Sequence, residues 1–508
     1  MSSRRSYELS YKGHIKATFT SQNNQQIIHQ RLQEMVSVSS PHFVIFPFLA
    51  QGHTIPLIYL ARILWQHHLP VTIFTTPTNS PLVRSTLQDA AICVVELAFP
   101  ENIEGIPYGV ENTDKLPSMS LFHQFANATK LMQPHFEKAL EDLQPVGCII
   151  SDAFLGWTQD SAAKMGIPRI GFYGMSSFAS TLSAVIAIER PHALTTSIDE
   201  PFSIPSFPKL SLTRNDFMPP FGDLEPKGPW VEFMIEQSTA MAKSYGVIVN
   251  SFYELEPAYT DYWNECIGPK AWCVGPFSAA KPPAILAKES EKPAWRLWLD
   301  EKLMSGEPVL YVAFGTQAEI SQEQLLEIAN GLEKSKANFL WVIRSKTLEI
   351  LDGFEEKVKD RGIIVKEWVD QMEIIRHKSV QGFLSHCGWN SVTEAICAGV
   401  PILAMPMMAE QHLNARLMTE VVGVGLRIVP CNGSVRGFVK SEEVEKKVRA
   451  LMEGTKGQEI RKKMKEVEEA ACGAMKEGAS SWKSLEQLIH GIRNYRKKQE
   501  KHFSQVIL

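Results

Sequence analysis

In the stretch FLSHCGWNSVTEAICAGVPILAMP (383–406), His, Cys, Gly, Trp, Asn and Ser follow one another between two apolar runs. The run VQGFLSH predicts a strand, Gly388 a turn, and Asn390 or Ser391 the cap of a helix. Val392, Ala395 and Ile396 then face the core, and Glu394 points away from them. The first turn of such a helix offers unpaired N–H groups and a positive dipole end, to which His386 adds an imidazole, Asn390 an amide and Ser391 a hydroxyl. That combination suits an anion, most simply a phosphate. Taken alone, the same pattern is also that of an ordinary capped helix with a packed Trp.

The neighbours extend the chemistry. Trp368, Gln371, His386, Trp389, Asn390, Ser391, Glu394, Glu410 and Gln411 all follow expected strand ends or open helices on one side of a sheet. An aromatic face, phosphate donors, and carboxylate or amide partners for hydroxyls together describe a site for a nucleotide-sugar. A second centre lies far upstream. His53 in QGH follows the first apolar run, and Asp152 ends the run GCIISD, so the carboxylate can accept from one imidazole nitrogen and raise the basicity of the other.

The elements that must position these residues alternate regularly. HFVIFPF (42–48) reads as a strand, LAQGH as a glycine-containing loop, and TIPLIYLARILWQHHLP as a helix with Leu57, Leu60, Ala61 and Leu64 on one face. VTIFTTP (71–77), VGCIISDAF (146–154) and VIVNSF (247–252) continue the strands. After a Pro-, Ala- and Lys-rich linker at 276–295 the grammar restarts, with strands expected at 308–316, 338–344, 362–368, 380–386, 401–406 and 423–429. Strands apolar on both faces and alternating with helices predict parallel α/β sheets. The fold class is α/β, with two facing Rossmann-like domains over 36–275 and 296–480, a terminal helix and tail over 481–508, and a cleft at the strand carboxyl ends. Residues 1–35 are polar and read as a disordered extension.

Composition narrows the partners. In 508 residues, 52 Lys+Arg against 56 Asp+Glu give a net charge of −4, which offers no general field for nucleic acid or an anionic membrane surface. No apolar run reaches the ~18 residues that would span a bilayer. The eight cysteines form no C-x-x-C pair, which points to reduced thiols, a cytoplasmic setting and no zinc site.

The 44 residues WVDQMEIIRHKSVQGFLSHCGWNSVTEAICAGVPILAMPMMAEQ (368–411) closely resemble the signature of plant UDP-dependent glycosyltransferases of secondary metabolism. FPFLAQGHTIP, SDAF, WLDEK and YVAFGT extend the likeness over about residues 40 to 495. Asp370 stands where many members have Pro, and Ala313 where many have Ser. The resemblance implies a GT-B arrangement with Trp368 stacked on uracil, Gln371 and Glu394 on the ribose, and His386, Asn390, Ser391 and Thr316 on the diphosphate. Trp389, Glu410 and Gln411 would face the sugar, His53 would be the general base, and Asp152 would orient it.

The implied reaction is one inverting displacement, in which an acceptor hydroxyl or carboxyl attacks the anomeric carbon and UDP leaves, giving a β-glycoside. UDP-glucose is the expected donor and co-substrate, over UDP-galactose and UDP-glucuronic acid. No cofactor is expected, and no metal, since D-x-D is absent. Phe48, Met119, Phe122, Trp157 and Phe172 are candidate walls for a small apolar or aromatic acceptor, and the chain is expected to act as a monomer. Two other classes are weighed. A nicotinamide-dependent oxidoreductase would need G-x-G-x-x-G after a strand, and GVGLRI (423–428) lacks its third glycine. A catalytically inactive nucleotide-sugar-binding protein would not need both His53 and Asp152.

Overall fold

The computed structural model describes residues 40–280, 292–343 and 353–506. The 1–35 extension lies outside these residues, as does most of the 276–295 linker. Its described ends form a short 3-10 turn at Phe277–Ala280 and the start of the helix Ala294–Met304.

The first lobe is built on seven parallel strands: β1 (Phe43–Phe46), β2 (Val71–Thr75), β3 (Cys93–Glu96), β4 (Cys148–Asp152), β5 (Arg169–Tyr173), β8 (Gly246–Val249) and β9 (Ala271–Cys273). Between β5 and β8 the chain makes an antiparallel hairpin, β6 (Phe202–Ile204) and β7 (Phe207–Leu212). The large sheet runs β3-β2-β1-β4-β5-β8-β9. The second lobe holds β10 (Val309–Ala313), β11 (Asn338–Val342), β12 (Gly362–Val365), β13 (Val380–Ser385), β14 (Ile402–Ala404) and β15 (Gly425–Arg427), all parallel, in the order β12-β11-β10-β13-β14-β15. Both sheets are doubly wound. Strand order reverses between β1 and β4 in one and between β10 and β13 in the other, and the helices diverging there open a crevice at the strand carboxyl ends.

Sequence explains the layers. FVIF of β1 and VLYVA of β10 are buried at every position, as strands covered on both faces by helices must be. The helices that shape the site are α1 (Gln51–Gln66), α2 (Ser177–Glu189), α3 (Pro229–Lys243), α4 (Trp389–Cys397), α5 (Gln411–Arg416) and α6 (Ser480–Val506). Helix α6 returns to the first lobe, where Leu485, Leu488, Ile489 and Ile492 join the core that contains Phe43, Ile45 and Leu57. One apolar cluster crosses between the lobes and brings Phe178, Phe252 and Leu255 together with Trp389 and Val392.

The strands expected from sequence are all present, with one to four residues trimmed. Five strands were not anticipated: β3, β5, β9 and the hairpin pair β6 and β7. Strand β3 is partly exposed, β9 has three residues, and of β5 only Phe172 carried an expectation, as a pocket wall.

Candidate active site

The first-lobe centre sits where that sheet reverses order. Chain leaving β1 enters α1 at Gln51, so QGH is the first helical turn and not a loop. Asp152 ends the neighbouring β4, and His53 Nδ1 lies 2.7 Å from Asp152 Oδ2. An ionised carboxylate only accepts, so Nδ1 carries the proton and Nε2 keeps a free lone pair. Asp152 is wholly buried, and its other oxygen accepts from the Phe154 N–H at 3.0 Å. Below it, the buried Arg169 donates to the Asp152 carbonyl (3.1 Å), Ser151 Oγ (2.7 Å) and Ser244 Oγ (2.7 Å), which fixes the strand end. Burial pulls the His53 pKa down, but Asp152, helped by Glu410 and Asp114, more than reverses this and leaves it above the usual histidine value.

Pro56 gives α1 a second use. It has no N–H to donate to the carbonyl four residues back, which belongs to Gly52. That carbonyl accepts instead from Asn390 Nδ2 of the other lobe, at 2.5 Å.

In the second lobe, β13 delivers His386, and α4 begins at Trp389 with Gly388 as its N-cap. The cap expected from Asn390 or Ser391 does not form, because the helix starts at Trp389 and places both inside its first turn, where Asn390 reaches Gly52 and Ser391 Oγ accepts from Gln371 Nε2 at 2.9 Å. The first N–H groups of α4 therefore carry no side-chain cap and remain open to an anion. The His386 ring lies between two glycines: a Cβ at Gly388 would come 2.5 Å from Nε2 and one at Gly315 2.9 Å, and Gly315 also needs its φ of +77°. Burial holds the His386 pKa at about 4, against a weaker upward pull from the Ala313 backbone, so the ring is neutral at physiological pH.

The ribose candidates are arranged together. Gln371 Nε2 donates to Glu394 Oε2 at 2.6 Å, and Tyr311 donates to Gln371 Oε1 at 3.3 Å. Trp368, 54% exposed, presents an uncovered aromatic face to the cleft. Thr316 is on the cleft wall, but its hydroxyl donates across it to Asp114 Oδ1 at 3.0 Å. Among the sugar candidates, Glu410 and Gln411 open α5 and line the cleft. Gln411 Oε1 accepts from the Met407 and Met408 N–H groups at 2.9 and 3.0 Å, so its amide is left to act as a donor and not in both directions. The Trp389 indole is 2% exposed and its N–H donates to the Asn250 carbonyl at 2.8 Å, so its polar edge serves the lobe interface while the residue still borders the cleft.

The cleft between the lobes encloses about 1720 Å³. That exceeds the ~300–1,000 Å³ typical of a pocket for one drug-sized ligand and gives room for two. Met119 and Phe122 line it as expected. Phe48, Trp157 and Phe172 do not. Phe48 is a second layer behind Phe122 and Phe154, Trp157 packs on Phe46 and Phe136, and Phe172 stacks on Phe277. Alternation explains the last case, since the adjacent Tyr173 projects from the opposite face of β5 and reaches the cleft. The wall is completed by Phe154, Met175, Trp230 and Met234. Trp230 and Met234 had no sequence signal beyond helical spacing in α3, whereas Phe154 lies in the SDAF run and Met175 three residues after Phe172. Among the described residues, no group of three His, Cys, Asp or Glu is placed to hold a metal, and no helix is long and apolar enough to cross a membrane.

Comparison with known proteins agrees with this geometry. Residues 287–456 match the family model described as UDP-glucoronosyl and UDP-glucosyl transferase. UDP-glycosyltransferase 90A1 of Arabidopsis thaliana is 49% identical over 467 residues, covering 89% of this chain and 97% of that protein. The scopoletin glucosyltransferase of Nicotiana tabacum is 35% identical, covering 89% of this chain and 98% of that protein. Among solved structures, Glycyrrhiza uralensis UGT73P12, complexed with glycyrrhetinic acid 3-O-monoglucuronide, superposes with a TM-score of 0.80 at 29% identity, covering 92% of this chain and 99% of that one. With two doubly wound lobes, a paired histidine on one side of the cleft and an open helix N-terminus on the other, this chain belongs to the plant UDP-glycosyltransferases, which transfer a sugar from a UDP-sugar to small acceptors.

Proposed function

We propose that the protein is an inverting glucosyltransferase that passes glucose from UDP-glucose to a hydroxyl of an apolar, aromatic or polycyclic metabolite, with carboxyl acceptors a chemically equivalent case. The observation that supports this most directly is the 2.7 Å His53–Asp152 pair, set across the cleft from the uncapped start of α4. His53 Nε2 removes the acceptor proton while the acceptor oxygen attacks the anomeric carbon from the first-lobe side. The bond to UDP breaks on the opposite side, where the N–H groups of α4, His386 and Ser391 stabilise the developing charge. Backside attack on an α-linked donor yields a β-glycoside. Asn390 and Thr316 join the diphosphate by exchanging their partners Gly52 and Asp114 for phosphate oxygens.

Glucose is favoured by the sugar end of the site. Glu410 can accept from two adjacent equatorial hydroxyls, and the Gln411 amide can donate to a third. A half-buried carboxylate there also disfavours an acidic sugar through like-charge repulsion. For the acceptor, Ser180, Ser183, Ala184 and Ala187 make a small-residue stripe along α2 opposite Trp230 and Met234 of α3, a trough suited to flat fused rings. We read the enzyme as a cytoplasmic monomer that needs no metal, so that excess chelator should leave turnover intact.

Equimolar UDP-glucose, UDP-galactose and UDP-glucuronic acid competing for one phenol test the assignment, with products weighed by mass spectrometry and the anomer read by NMR. A β-glucoside is expected. A galactoside or glucuronide as main product removes the glucose reading, and an α-glycoside removes the inverting step. Gln411→His should shift the products toward galactoside.

A further inference from the structure

Asn414, four residues beyond Glu410 on α5, is completely buried yet polar on both sides of its amide. Its Nδ2 donates to the Cys387 carbonyl at 3.0 Å and to Glu410 Oε1 at 3.1 Å, and its Oδ1 accepts from Ser176 Oγ at 3.0 Å. The orientation is forced: a flipped amide would set its oxygen against two acceptors. The three partners belong to three parts of the site. Cys387 lies in the turn between His386 and α4, Glu410 faces the sugar position, and Ser176 caps α2 in the other lobe through the Ala179 N–H at 3.0 Å. The far end of α5 is held in the same direction, since Arg416 Nε donates to the fully buried Asp216 of the first lobe at 2.6 Å. A helix of the donor lobe is thus fastened to the acceptor lobe at two points of its second half, Asn414 and Arg416.

We infer that Asn414 is a positioning residue: it sets the Glu410 carboxylate against the sugar and ties that setting, through Ser176, to the lobe that holds His53. This rests on the reading of Glu410 as a sugar partner. The uridine contacts, on Trp368, Gln371 and Glu394, do not pass through Asn414, and in the turn before α4 it touches only the Cys387 carbonyl, not the N–H groups that face the phosphates. Sugar recognition and UDP recognition should therefore separate when Asn414 is changed.

The test uses the full-length enzyme. Asn414→Ala should raise the KM for UDP-glucose about tenfold and lower kcat, with the dissociation constant of UDP alone within about twofold of wild type by calorimetry. Glu410→Gln should act in the same direction, and the double variant should be no worse than the worse single one. Multiplying effects, or UDP affinity falling in step with KM, would overturn the link. A Glu410→Gln enzyme with unchanged KM would instead remove the sugar-facing reading of Glu410. Should Asn414→Ala fail to fold, Ser176→Ala and Ser176→Thr decide: KM should rise about threefold in the first and return in the second, which keeps the hydroxyl. Equal behaviour of the two would refute the tie between the lobes.

Discussion

His53 and His386 each stand beside the point where strand order reverses in their own sheet, and their surroundings drive them in opposite directions. Both rings are largely withdrawn from water. The difference is the neighbour: Asp152 lies 2.7 Å from His53 and restores its affinity for a proton, whereas His386 is walled by Gly315 and Gly388 and is held at a pKa of about 4. The first can take a proton near neutral pH, and the second stays neutral and has a single N–H to offer. One residue type therefore serves as a base in one lobe and as an anion ligand in the other, according to whether the sheet edge supplies a carboxylate or glycines.

The sharpest way to break this contrast is to remove each ring. His53→Ala should lower kcat about 10²–10⁴-fold, roughly 3–5 kcal/mol of barrier, while UDP binding measured by calorimetry barely changes. Near-normal turnover on a hydroxyl acceptor would take His53 out of the mechanism. Asp152→Asn should cost less, about 10–10²-fold in kcat, and it makes a prediction about pH. Only neutral His53 accepts a proton, so activity falls as pH drops through its pKa. Because Asp152 raises that pKa, the acid limb of kcat/KM in the wild-type enzyme lies above the ordinary histidine value of 6.5, and the substitution should move it to lower pH. An unmoved limb would mean that another group sets it. His386→Ala should do the reverse: UDP affinity falls about tenfold, for one lost hydrogen bond to a charged group, and the acid limb stays in place.

How much of this could be read beforehand follows from how each half is assembled. The donor residues fall within 368–411, save Thr316, and strand-turn-helix spacing alone places them at one sheet edge. The acceptor wall comes from segments as far apart as Met119 and Met234, and a side chain reaches it only if strand parity or helix phase turns it that way. Tyr173 does and Phe172 does not, a one-residue distinction that requires the register of β5. The contacts across the lobes were least legible. Asn390 to Gly52, Asn414 to Ser176 and Arg416 to Asp216 join residues 200 or more positions apart, and none of these pairs is signalled by local pattern. The expected cap of α4 failed because the helix starts at Trp389, which puts Asn390 inside the first turn with its amide turned to a partner in the other lobe.

Pro56 offers the smallest and most specific test of that competition. A proline in the sixth position of a helix is costly unless the carbonyl it abandons is used, and here Gly52 accepts from Asn390. Pro56→Ala supplies the missing N–H, so the Gly52 carbonyl is satisfied within α1 and its hold on Asn390 weakens. A carbonyl can accept two hydrogen bonds, which limits the effect. If Asn390 must leave Gly52 to meet the diphosphate, the substitution lowers the cost of leaving, and UDP should bind about two- to fivefold more tightly with kcat little changed. Calorimetric titration of UDP into the two proteins decides it. Weaker or unchanged binding would show that Asn390 does not divide its time between the neighbouring lobe and the phosphate.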